Sequence, residues 1–493
     1  MSKKASSTIK PSDIETFHMV PYKTDVHYAG IANKIFKAVK NGIKYGLPSY
    51  YRSFMRDMSI AAALYFEDIC SDLGVWRLFK KLHYERYGKI LPFELDQGET
   101  LDNGLTKNGV QFVMWIALSD VHEGVVNPNS TFLQLSASIA FDILTEESKW
   151  IVPNGELRRF IYDCDFDDLY KVRDVLIWLT RFNYLSCWEL GAKKLQMLKV
   201  SQIDLMCEKS ASYFVDCTAP FILGCTPLSI PSKAFYADLL EERGIPDASG
   251  FVRDLEYIPI DFWKSSPKGG TVYKLVNAEG RSFAVDYGPR LTSESIKIVA
   301  ASKYVYCALI KYRGKVEFNG TVAPIAKDVY DDAALVKKKL KDLERAKDSI
   351  KSTDKLQTRF FFESFEAANE YVNEKLGLEK GSTSREPTDI DLVSEKLMVS
   401  FTWQDIFIVS YERYVEAVAD KNNPFYIKGL DTEAFTMFKN VEQVPDECLH
   451  DLVKNKLIPG AAYKDSQDAE RGHRIVQENL DFLFRCYRRV ILP

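Results

Sequence analysis

The residues best placed to do chemistry are two carboxylates inside an aromatic helical run. Tyr65-Phe66-Glu67-Asp68 sits mid-helix and is followed by Asp72. Neighbouring helical positions point about 100° apart, so at least one of Glu67 and Asp68 turns toward the core side. A buried carboxylate needs a partner or a raised pKa. Arg77, Arg86 and His83 are the candidate partners. The set reads first as a structural ion pair. The alternative is a general acid–base site assembled from Glu67, Asp68, His83 and Arg86.

Other chemistries can be weighed in the same way. Asp163, Asp165 and Asp167, with Asp174 eleven residues after the first, imitate calcium-loop spacing. The sixth place holds Asp168 instead of glycine, and the twelfth holds a short Asp instead of Glu. An apolar helical pattern begins at once with Leu169, so helix capping is the expected role and a metal site the weaker one. Cys207, Cys217 and Cys225 lack zinc-knuckle spacing and read as buried thiols. The six histidines, His18, His27, His83, His122, His450 and His473, are scattered. Pro267-Lys268-Gly269-Gly270-Thr271 lacks the order of a phosphate loop and reads as a turn before a strand. No dinucleotide fingerprint is present, and no cofactor is expected.

Two basic groups remain. Arg474, Arg485, Arg488 and Arg489 fall close to one face of a C-terminal helical pattern and could take phosphate or an acidic protein. Nearby acids, among them Glu470, Glu478 and Asp481, favour a solvated face. Lys34, Lys37, Lys40 and Lys44 form a row on the back of the first long helix, again read as a solvated face.

These residues must be positioned by a chain of 493 residues, 46% hydrophobic and 27% charged, which is globular composition of about three domains. The net charge of −4 argues against a dedicated nucleic-acid binder. Nine cysteines without regular spacing, no apolar leader after the first lysines and no long apolar run together predict a soluble cytoplasmic protein with reduced thiols and no membrane span. The aromatic content of 13% supplies core material.

The periodicity predicts a mainly α chain with a small α+β module. Helices are expected at 24–42, 49–70, 74–87, 106–118, 131–144, 154–163 and 168–184, within a helical domain of 15–250. Thr24 or Asp25 would cap the first. Two hairpins, 271–285 and 304–318, with a short helix at 292–300 between them, define a module at 255–325. A charged helix or connector is expected at 328–355. A helical C-terminal part follows at 360–493, with a linker near 379–391.

Three segments carry a resemblance: Thr24-Asp25-Val26-His27-Tyr28, Tyr65-Phe66-Glu67-Asp68, and Tyr87-Gly88-Lys89-Ile90-Leu91-Pro92-Phe93. In order and spacing, over about residues 15 to 190, they resemble an uncharacterised family of unknown function from anaerobic gut-type bacteria. The resemblance implies a soluble bacterial cytoplasmic protein and no particular activity. Taken together, the expectation is a non-catalytic interaction or scaffold protein with a protein partner. An enzyme with a dispersed site is the first alternative, and a nucleic-acid-associated protein using the C-terminal arginines the second.

Overall fold

The computed structural model describes residues 8–43, 51–87, 104–121, 131–186, 216–221, 223–228, 230–288, 291–331, 334, 359–376, 397–401 and 406–410. The N-terminal helices are α1 (Pro11–Glu15), α2 (Asp25–Gly42), α3 (Tyr51–Ser71), α4 (Val75–Tyr87), α5 (Lys107–Val121), α6 (Thr131–Glu147), α7 (Gly155–Tyr162) and α8 (Leu169–Ile177). Tyr28, Ile31, Ala32, Ile35, Phe36 and Val39 of α2 are all buried, as their 3.6-residue spacing predicts. The middle of α3 is apolar all round, and every residue from Met58 to Phe66 is buried, which makes it the central helix of the bundle.

The expected helix at 168–184 is not continuous. It leaves α geometry after Ile177 and makes a π-helical turn, Trp178–Phe182. Two further helices, α9 (Ser232–Glu242) and α10 (Pro246–Arg253), complete the same core.

Both expected hairpins are present, and a strand that precedes them joins them into one sheet. The strands are β1 (Glu256–Gly269), β2 (Val272–Asn277), β3 (Ser282–Asp286), β4 (Tyr304–Tyr312) and β5 (Lys315–Pro324). They pair antiparallel in the order β3-β2-β1-β4-β5, so β1 is central. Its ladder with β4 shifts register between Ile258 and Asp261, at Pro259. One face packs Ile258, Trp263, Leu275, Val305, Cys307 and Leu309 with Val299 of α11 (Ser293–Ala301).

The other face meets the helices. Ile310 and Tyr312 of β4 enter the helical core. Tyr312 Oη donates to the Phe166 carbonyl at 2.6 Å, and Tyr170 Oη donates to the Phe318 carbonyl at 3.0 Å. Arg313 and Gly314 close the β4–β5 hairpin with φ of 48° and 78°, the mirror-image turn that suits strand twist. The unusual φ of Arg313 is held by an ion pair to Asp167 and by stacking over Phe251 at 4.2 Å.

Further on, the chain adds strands to the expected helices. The strands β6 (Arg359–Phe362), β7 (Leu397–Phe401) and β8 (Ile406–Ser410) form a second antiparallel sheet in the order β6-β7-β8, accompanied by α12 (Phe365–Leu376). Residues 335–358, which hold most of the expected charged helix, lie outside the described residues. So do the linker near 379–391 and residues 411–493, with Arg474, Arg485, Arg488 and Arg489. No described helix is long and apolar enough to cross a membrane.

Candidate functional site

Glu67 is buried, but none of its expected partners meets it. Its Oε2 lies 2.8 Å from Nε2 of His18, and its Oε1 accepts from Asn154 Nδ2 at 2.9 Å. Nδ1 of His18 lies 2.8 Å from Asp25 Oδ1. The second oxygen of Asp25 accepts from the Tyr22 amide at 2.9 Å. Asn154 caps α7, its Oδ1 accepting from the Leu157 amide, while its own amide donates to Ser71 Oγ. One hydrogen-bonded chain therefore ties the α1–α2 turn, α3 and the start of α7.

The protonation of this chain follows from its partners. Both ring nitrogens of His18 face carboxylate oxygens, which accept hydrogen bonds, so both nitrogens donate and the ring is an imidazolium. Burial opposes that charge, but the hydrogen bonds and charges of Asp25 and Glu67 outweigh it and push His18 up to about 9. His18 is only 2% exposed. With both protons committed and solvent excluded, the cluster acts as an electrostatic clamp between three segments. A general base needs a free lone pair within reach of a substrate.

Asp68 does a different task. Its Oδ1 accepts from the Val75 amide at 3.3 Å, and its Oδ2 accepts from the Trp76 amide at 2.7 Å and from Tyr184 Oη at 2.6 Å. It thus caps the first turn of α4 from the preceding helix. Burial raises its pKa against the opposing effect of those donors. Asp72, at φ 51°, collects Arg77, Arg158 and Arg243. The Arg243 hydrogen bond holds its carboxyl below the usual range. Of the arginines expected beside these acids, Arg77 serves Asp72, not Glu67 or Asp68.

The other sequence candidates separate. His83 is buried on α4 between Phe79 and Phe112, with ring centroids 5.3 and 6.1 Å away, and is not a partner of either carboxylate. The side chain of Arg86 lies outside the described residues. Asp168 caps α8 by accepting from the Tyr170 amide, Asp165 accepts from the Asp167 amide, and Asp167 pairs with Arg313. Asp163 is the C-cap of α7. Among the described residues no group of three or more His, Cys, Asp or Glu is arranged to hold a metal ion. Cys217 and Cys225 are buried and free, and Cys207 lies outside the described residues. Lys34, Lys37 and Lys40 are exposed, with Lys34 paired to Glu147, while Lys44 lies outside the described residues.

One surface feature stands beside the clamp. The α6–α7 connection presents Trp150 at 75% exposure and Ile151 at 60%, followed by Val152. The loop is fixed: Tyr28 Oη donates to the Val152 carbonyl at 2.6 Å, and Asn154 is held by Glu67 and Ser71. Across the Glu67 carboxylate, His18 leads into exposed Met19 and Val20, and α2 adds exposed Val26. Three connected segments thus hold six exposed apolar side chains on a rigid frame. Sequence reasoning missed this face, because a Trp-Ile-Val run in isolation reads as core.

No curated protein and no solved structure matches the chain. A family model described as a protein of unknown function (DUF3843) matches residues 11–258 and 321–489. The stretch between the two matched segments falls within the five-stranded sheet, from β1 into β5. The match takes in every residue of the clamp and of the apolar face, and well over half of the chain, which therefore belongs to this family of unknown function.

Proposed function

We propose that this protein works by binding another protein chain, without catalysis, through the face formed by Trp150, Ile151, Val152, Met19, Val20 and Val26. The exposure of Trp150 carries the reading. An exposed tryptophan flanked by exposed aliphatics is the composition of a binding hot spot, and a contiguous apolar patch on a soluble surface marks an interaction site. The frame behind it supports the same reading. A loop locked by Tyr28 and Asn154 loses little conformational freedom when it binds. The commitment of Glu67 and Asp68 to His18, Asn154, Tyr184 and backbone amides speaks for a structural use of the carboxylates.

The setting we infer is the bacterial cytoplasm. The free state of Cys70, Cys164, Cys217, Cys225 and Cys307 supports it, together with the family resemblance. We keep the units at 15–250, 255–325, 328–355 and 360–493 as our division of the chain, which the span of the five-stranded sheet supports.

A photo-crosslinking amino acid placed at position 150 of the full chain in living cells tests the binding reading. A discrete protein adduct, absent when the same group sits at buried position 133, is the expected result. No adduct at 150 overturns it.

A further inference from the structure

The geometry points to a second copy of this chain as the occupant of the Trp150 face, paired about a two-fold axis. The inference rests on the binding reading above and names its partner. The six apolar residues are bordered by charges of both signs. At one end stand Glu146 and Lys149, 71% and 61% exposed, together with the Lys34–Glu147 pair. At the other end stand exposed Lys23 and Glu156, with Glu156 close enough to act on Tyr22.

A two-fold axis through the patch brings each end against the opposite end of its mate. Lys149 and Lys34 then face Glu156, and Glu146 faces Lys23. The face is complementary to itself, which is what an isologous interface requires. An anionic lipid surface or nucleic acid would instead meet Glu146 and Glu156 as like charges. The chain's net charge of −4 over 493 residues puts little long-range repulsion between two copies. A stable dimer needs about 800 Å² per partner. Trp150 and its five apolar neighbours provide the dry centre, and the outer surfaces of α2 and the α6–α7 connection provide the polar rim.

Sedimentation or light scattering of the purified full chain at micromolar concentrations tests this. The expected result is twice the chain mass. Trp150→Asp should raise the dissociation constant about 30-fold or more while leaving the far-UV spectrum and melting temperature unchanged. Lys149→Glu should weaken the dimer, and adding Glu156→Lys to it should restore the dimer, which simple loss of folding would not do. A wild-type monomer at these concentrations overturns the inference, as does a dimer indifferent to Trp150→Asp. If the purified chain is monomeric while position 150 still crosslinks a different protein in cells, the second copy falls and the binding reading stands. If neither occurs, both fall.

Discussion

Nε2 of His18 lies 2.8 Å from Oε2 of Glu67, across 49 positions of sequence and with both side chains 2% exposed. Removing one member of such a buried pair leaves the other charge without compensation, which costs about 3–5 kcal/mol. His18→Ala should therefore destabilise the chain by about that much in urea unfolding, and His18→Gln by less, because its amide can still donate to one carboxylate. Equal, negligible losses in both variants would refute the clamp.

The same pair sets a pH dependence. His18 is raised from 6.5 to about 9 in the fold, so the folded state holds its proton more tightly than the unfolded chain. Stability from this group is then fully present below pH 6.5 and is lost as pH rises through about 9. Melting temperatures of wild type and His18→Gln should converge between pH 7 and pH 10. A gap that stays constant or widens with pH would contradict the assignment.

Asn154 couples two tasks, capping α7 and donating to Glu67. Asn154→Asp keeps the cap but sets a carboxylate against the Glu67 oxygen 2.9 Å away. A loss of about 2 kcal/mol near neutral pH is expected, larger than for an ordinary cap change and relieved on acidification as one acid takes up a proton. A loss that does not shrink on acidification would mean that the two groups do not interact.

Asp68 ties α3 to the start of α4. Asp68→Ala strands two amides and the Tyr184 hydroxyl in a buried place, and should cost about 3 kcal/mol or more. Asp68→Asn retains an acceptor and spares the burial of a charge, so it should cost clearly less. Hydrogen exchange at Val75 and Trp76 distinguishes the two variants, with protection lost only in the alanine form.

Trp150 behaves in the opposite way. At 75% exposure, it contributes little to the fold, so Trp150→Ala should change unfolding free energy by no more than about 0.5 kcal/mol. The combination of unaltered stability with lost association marks a binding residue. A large loss of stability would instead mark Trp150 as part of the core.

Much of the fold is legible in the chain because burial leaves a period. The α2 stripe from Tyr28 to Val39 and the α4 start after Gly74 are found where the 3.6-residue spacing puts them. Strand β1 is hidden for a physical reason. Pro259 and Pro267 read as breakers, yet Pro259 sits in the register shift with β4 and Pro267 beside the one with β2, where a missing amide costs nothing. The candidate site was legible only in part. Glu67 and Asp68 stand out as carboxylates in an apolar helix, but their partners do not. His18 and Asn154 come from 49 and 87 positions away, and no local spacing encodes a contact of that separation.

The central place of β1 has a consequence during synthesis. Its hairpin with β2 and β3 is complete before β4 leaves the ribosome, and its contact with β4 spans up to 55 positions. Until β4 arrives, the strand that ends in the middle of the sheet is an edge, offering unpaired amides and carbonyls to any other nascent chain. The shift between Ile258 and Asp261 and the proline within it lie on that temporary edge. The irregularity that conceals β1 from a sequence reader also makes it a poor template for premature aggregation.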